Sequence, residues 1–176
     1  MIRVDLDLEN PNDLRQADAQ WKFAQGLVPG EPNEGLVAQI EGSPARLADY
    51  DDSGWEICES IQEVRSRGVT FGWYRITITV PEQVHDMDIR GLPMHFETCI
   101  DDYGEIWIND ECNRQTGGVA GFNVRQRVLI TRDTQPGTKY VIACLAVNGP
   151  LAAPGGGIFM RYARLAFEDY TAAKDS

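Results

Sequence analysis

The sequence holds little of what most catalytic and targeting signatures require. There are two histidines, His85 and His95, and four cysteines, Cys58, Cys99, Cys112 and Cys144, with no Cys-x-x-Cys spacing. A cupin-like transition-metal centre, which draws on more than one convergent histidine, is disfavoured. Five serines, Ser43, Ser53, Ser60, Ser66 and Ser176, give no Gly-x-Ser-x-Gly elbow, so a nucleophilic triad has no support. Positive charge is scarce: 16 Lys and Arg against 27 Asp and Glu leave a net charge of −11. That balance argues against a nucleic-acid partner and against docking on an anionic membrane. No apolar run is long enough to span a bilayer, and charges interrupt the opening stretch Met1–Asp7, unlike a signal peptide. The expectation is a cytoplasmic chain with its thiols reduced and no cofactor required.

What is present points to β-structure. At 176 residues, 43% of them hydrophobic, the chain suits one domain over 1–176 with a core that needs no disulfide staple. Ile2, Val4, Leu6 and Leu8 alternate with charged residues as a half-buried strand, stopped at Asn10-Pro11-Asn12-Asp13. Leu14, Ala17, Trp21 and Ala24 then recur at helical spacing behind an Asp13 cap, which predicts a short helix or turn running into Trp21. A strand is predicted at Leu36–Ile40, and Ser43-Pro44 suits a helical turn ending near Asp49. From Gly72 onward the pattern is β throughout, with strands predicted over 73–80, 94–100, 105–108, 123–130, 139–147 and 158–167. Many short strands without helical periods between them mean an antiparallel β-sandwich or jelly roll. The residues after Tyr170 are small and polar and are expected to fray.

The most specific segment is Glu97-Thr98-Cys99-Ile100-Asp101-Asp102-Tyr103-Gly104-Glu105-Ile106-Trp107-Ile108-Asn109-Asp110. It reads as strand, tight acidic turn and strand, a β-hairpin of antiparallel neighbours with Phe96, Ile106 and Ile108 facing the core. The Asn109-Asp110 pair suits positive φ in a second turn. Before it stand Tyr50-Asp51-Asp52-Ser53-Gly54-Trp55-Glu56 and Trp73–Pro81; after it come Gly117-Gly118, Gly121-Phe122-Asn123 and Pro136–Ala143. This order resembles the jelly-roll sugar-binding domain at the front of glycoside hydrolase family 2 enzymes, a branch of the galactose-binding-like folds. The resemblance covers roughly residues 47–148. It implies a galactose-binding-like sandwich with short helical turns, a strand at Trp21-Lys22-Phe23, and acidic turns that organise loops over a packed Trp. Those domains normally precede a catalytic barrel and often carry a structural calcium, for which this chain shows no fixed ligand spacing.

Strand alternation sorts the chemistry-bearing residues by face. Tyr74, Ile76, Ile78 and Val80 oppose Trp73, Arg75, Thr77 and Thr79; Met94, Phe96, Thr98 and Ile100 oppose His95, Glu97 and Cys99. If one sheet gathers the polar faces, Trp73, Arg75, Glu97, Glu105, Trp107 and Arg125 form a ligand-binding surface beside His95 and Arg127. The plain alternative is a solvated sheet face laced with cross-strand ion pairs. A competing site at the sandwich end comprises Asp51, Asp102 and Asn148. The metal reading of His95, Glu97 and Glu105 is the weak one, and any metal stays unassigned.

Three functions remain open. The first, which the resemblance implies, is a non-catalytic carbohydrate-binding or accessory module associated with a sugar-processing enzyme. Its partners would be a sugar-like small molecule or a glycan-processing subunit. The second is a small divergent enzyme with Glu97 or Glu105 as general acid–base and Arg75 or Arg125 holding an anionic group. The third is a structural or self-associating subunit, signalled by an apolar patch around Trp107 or Phe122.

Overall fold

The structure, a computed structural model, describes residues 2–31, 42–150, 152–153 and 155–170. The strand expected at Leu36–Ile40 and the fraying expected beyond Tyr170 lie outside the described residues. Strands β1 (Ile2–Asp7), β2 (Lys22–Gln25), β3 (Glu56–Ile57), β4 (Arg65–Arg67), β5 (Thr70–Thr79), β6 (Gln83–Val84) and β7 (Met87–Asp88) come first. They are followed by β8 (Met94–Asp101), β9 (Tyr103–Ile108), β10 (Val119–Ala120), β11 (Arg125–Thr131), β12 (Lys139–Asn148) and β13 (Gly157–Asp169). One sheet has the order β1-β13-β8-β11, with β4 added to β13; the other runs β10-β9-β12-β5-β2-β3. All pairings between them are antiparallel, so the chain is the all-β sandwich its patterning predicts.

The long strands alternate between sheets as the chain advances: β5, β9 and β12 lie in one, β8, β11 and β13 in the other. The acidic turn at Asp101-Asp102 therefore does not close a hairpin, which corrects the sequence expectation. β8 pairs with β11 and β13, β9 pairs with β10 and β12, and the turn carries the chain across the sandwich. Period-2 alternation gives the same pattern for a hairpin partner and for a strand facing it across the core, because both bury every second side chain. The facing directions hold all the same: Phe96 and Ile106 are fully buried and Ile108 packs against the same core. Asn109 and Asp110 adopt positive φ, at 43° and 75°. Gly104, at the start of β9, sits so close to β8 that an added Cβ would lie 2.5 Å from Ile100 Cδ1.

Between the sheets lie Leu6, Phe96, Ile100, Leu165 and Phe167 from one side and Tyr74, Ile76, Ile78, Ile106 and Ile142 from the other. Trp21 closes the core near β1; its indole N–H donates to the Leu8 carbonyl at 2.9 Å and its ring lies 6.5 Å from that of Phe96. The helix ahead of it, α1, spans Pro11–Gln16. Its cap is Asn10, not Asp13: the Asn10 side chain accepts from the Asn12 and Asp13 amides, and Pro11 takes the first helical position. Asp13 instead accepts from the Asp7 amide at 2.8 Å, tying the helix to β1. The short helix and the turn after it run into Trp21 as the spacing predicts, and the chain then enters β2 at Lys22, the strand implied by the resemblance. Ser43 caps a 3-10 turn over Pro44–Arg46, shorter than the run to Asp49 that was expected.

Candidate functional site

Two different outer faces receive the residues that alternation grouped as one surface. Trp73 and Arg75 on β5 and Glu105 and Trp107 on β9 share the outer face of the β9-β12-β5-β2 sheet. Glu97 on β8 and Arg125 on β11 lie on the outer face of the opposite sheet, with the core between them. The single six-residue surface is therefore corrected to two separate groups.

Over Trp73 and Arg75 the segment 42–55 folds as a cover. Trp73, Ala143 and Leu145 form a second small core with Ala45, and Trp73 donates its indole N–H to the Leu27 carbonyl at 2.9 Å. Arg75 is 2% exposed. Its Nη1 donates to the carbonyls of Ala45 and Leu47 at 2.8 and 2.9 Å, and its Nε meets Asp52 at 3.0 Å. Its guanidinium also lies 5.6 and 5.9 Å from the ring centres of Tyr50 and Trp55. Planar, permanently charged and rich in donors, the side chain gathers loop carbonyls that no strand can satisfy. Burial alone would raise the Asp52 carboxyl, but hydrogen bonds from Lys22 and Arg75 outweigh it and hold the group below its ordinary value. The acidic turn at Asp51-Asp52 thus organises a loop, and Arg75 is consumed in doing so.

On β9, Glu105 accepts from the Tyr103 hydroxyl at 2.8 Å and the Trp107 indole at 3.2 Å, and Arg46 lies over the Trp107 ring. Burial and the Glu105 carboxylate both push the Tyr103 hydroxyl upward. On the other sheet Glu97 accepts from Arg3 at 2.8 Å, Arg127 at 2.9 Å and Arg164 at 2.8 Å. Arg127 continues to Glu168 at 2.7 Å, which also takes the Tyr170 hydroxyl. Burial would raise Glu97, yet the Arg3 and Arg164 hydrogen bonds win and hold it below the usual carboxylate range. A carboxylate so held has no proton to give at neutral pH and no free lone pair directed to a substrate. Glu97 and Glu105, separated by a core about 10 Å thick, do not flank one substrate, so they form no acid–base pair. Arg125 stands exposed beside this network, its side chain without a hydrogen bond to another described residue.

The end-loop group also divides. Asn148 is buried and donates to the carbonyls of Gly68 and Gly155 at 2.6 and 2.8 Å. Asp102 accepts from the Gly149 amide at 3.0 Å next to it. Burial and the neighbouring Asp102 raise the Asp101 carboxyl. Asp51 lies apart, accepting from the Ser53 amide at 3.0 Å and lining a shallow depression with Tyr50 and Trp55. Phe122 is 76% exposed at a loop tip with Val124, a small apolar pair rather than a broad patch; Trp107 is half-buried. Among the described residues no three His, Cys, Asp or Glu side chains converge as a metal site, and Glu105 is remote from His95 and Glu97.

A groove that the sequence did not disclose lies at the open edge of the sandwich, where β11 ends one sheet and the turn after β9 borders the other. Its volume is about 800 Å³, within the range of small-ligand sites. Val128, Ile130, Ile108 and Pro93 give an apolar base, and Tyr140 and Tyr170 line it. Polar groups come from His95, Arg127 and Arg132 on one side and Asn109, Glu111, Asn113 and Thr116 on the other. His95 and Arg127 were legible as a shared strand face; the others come from segments whose proximity only the fold creates.

No family model matches the chain, and no curated protein matches it by sequence. Solved structures do. A β-glucuronidase of Bacteroides uniformis is 18% identical, covers 94% of this chain and 18% of its own, and superposes with a TM-score of 0.58. A glycosyl hydrolase family 2 member from Bacteroides cellulosilyticus is 19% identical over 94% of this chain and 21% of its own, with a TM-score of 0.57. A Faecalibacterium prausnitzii β-glucuronidase gives 13%, 96%, 32% and 0.51 for the same quantities. The chain thus has the fold of a small part of family 2 glycoside hydrolases, spanning about a fifth of the first two.

Proposed function

We propose that the chain is a non-catalytic carbohydrate-binding or accessory module that works beside a glycan-processing catalytic unit. The observation that carries this reading is the fold likeness, which takes in 94% of this chain but only 18% of a family 2 β-glucuronidase. Two features of the molecule support it. Glu97 is neutralised within an arginine cluster and has Glu105 on the opposite sheet, so the acid–base reading lacks its pair. The edge groove offers tyrosine rings and hydrogen-bonding groups of the kind that engage a sugar. The partners proposed are a sugar-like molecule and a glycan-processing subunit, the compartment is the cytoplasm, and binding requires no cofactor.

The test is a glycan array probed with the isolated chain, with mass photometry on the same sample for self-association. Saturable binding to a defined sugar class supports the proposal. Absence of binding to every glycan, together with a stable oligomer, would replace it with the structural-subunit reading.

A further inference from the structure

The edge groove carries a more specific reading, which rests on the sugar-binding proposal and names the site and ligand class. Its polar side chains are largely donors. Asn109 Oδ1 accepts from the Val141 amide at 2.8 Å, and Asn113 Oδ1 accepts from the amides of Gln115 and Thr116, both at 3.1 Å. With their oxygens engaged, each amide retains an NH₂ that donates to no described residue. His95 Nδ1 lies 3.2 Å from Arg127 Nη2. A guanidinium only donates, so Nδ1 accepts and the imidazole proton sits on Nε2, adding another donor. Burial first, then the Arg127 charge, holds the His95 imidazole below its ordinary value, which favours the neutral form.

Arg132 supplies charge. It is exposed, lines the groove, and pairs with no carboxylate among the described residues. Arg127, by contrast, is tied to Glu97 and Glu168. Opposing these donors, one carboxylate among the described residues lines the groove, Glu111. Uncommitted donors beside an unpaired cation call for an acceptor-rich, negatively charged ligand, whereas a neutral polyol would use donors and acceptors about equally. Tyr140 and Tyr170 provide faces for the ring of such a ligand.

We propose that the groove between β11 and the turn after β9 binds a sugar carrying a carboxylate, with the carboxylate directed to Arg132 and the ring beside Tyr140 and Tyr170. The amides of Asn109 and Asn113 then serve the ring oxygens, and Glu111 limits affinity by repulsion.

Titration of the full chain with D-glucuronate and D-glucose, followed by backbone-amide NMR and calorimetry, tests this. The expected result is saturable glucuronate binding, at least about tenfold stronger than glucose, with shifts at residues 109–116 and 127–132. Arg132→Gln, a change at an exposed position, weakens glucuronate binding about tenfold or more, while Glu111→Gln strengthens it a few-fold. Those opposite signs are not what a loss of folding produces, and unchanged spectra elsewhere verify each variant. Glucuronate binding that neither substitution alters would overturn the groove assignment. Equal or tighter binding of glucose would overturn the acidic-sugar preference while leaving the sugar-binding proposal standing. If neither sugar binds, this inference fails; the broader proposal fails only if the glycan array is also blank.

Discussion

Replacing Arg75 with Ala should remove the strut that holds the 42–55 cover onto its sheet. The side chain is 2% exposed, donates to two loop carbonyls at 2.8 and 2.9 Å, and pairs with Asp52 at 3.0 Å. Hydrogen bonds to a charged group are each worth about 1.5–3 kcal/mol, and removing one partner of a buried pair costs about 3–5 kcal/mol. The contributions do not add, because Lys22 still compensates Asp52 at 2.7 Å and a loosened loop readmits water to its carbonyls. A loss of about 3–4 kcal/mol in urea unfolding is the expected outcome, with faster amide exchange concentrated in residues 45–55. Arg75→Lys should recover less than half of it, since one ammonium cannot serve both carbonyls and the Asp52 carboxylate in the guanidinium geometry. A loss below about 1 kcal/mol with unchanged exchange in the cover would refute this account of Arg75.

Phe96→Ala removes a fully buried ring that faces Trp21 and should cost about 3–5 kcal/mol by denaturant unfolding. Gly104→Ala should lose about 1–3 kcal/mol, because the new methyl meets Ile100 where β9 crosses close to β8. Glu168 is held down at about 2, first by the Arg127 hydrogen bond, against an ordinary 4.5. Its contribution is therefore complete above about pH 4.5 and is lost as pH falls toward 2, so Glu168→Gln should flatten the acid side of a melting-temperature profile. All four cysteines are free thiols, and Cys58, Cys99 and Cys144 are buried, so melting temperatures with and without reductant should agree.

The faces of the strands were legible because alternation is local: Tyr74, Ile76 and Ile78 turn inward and Trp73 and Arg75 outward, as the sequence pattern predicts. Sheet membership was not, since β8 and β9 are consecutive and alternating yet belong to opposite sheets. That single ambiguity divided the expected binding surface. The fate of Arg75 was equally hidden, because its partners at Ala45 and Leu47 are backbone carbonyls, which leave no mark in residue type. In Asn109-Asp110 the turn chemistry was plain, but its place on a groove with Arg132 and Tyr170 depends on strand order. The ion-paired sheet face around Glu97 was one of the two readings open from sequence, and it describes the fold.

The central claim, a module that binds sugar without transforming it, is tested most directly by one NMR sample holding the chain and an aryl β-glucuronide at millimolar concentration. The account predicts amide shifts that saturate with ligand while the glycoside stays intact. Release of the free aglycone at a rate set by the protein concentration would contradict the claim, as would a spectrum that no sugar perturbs.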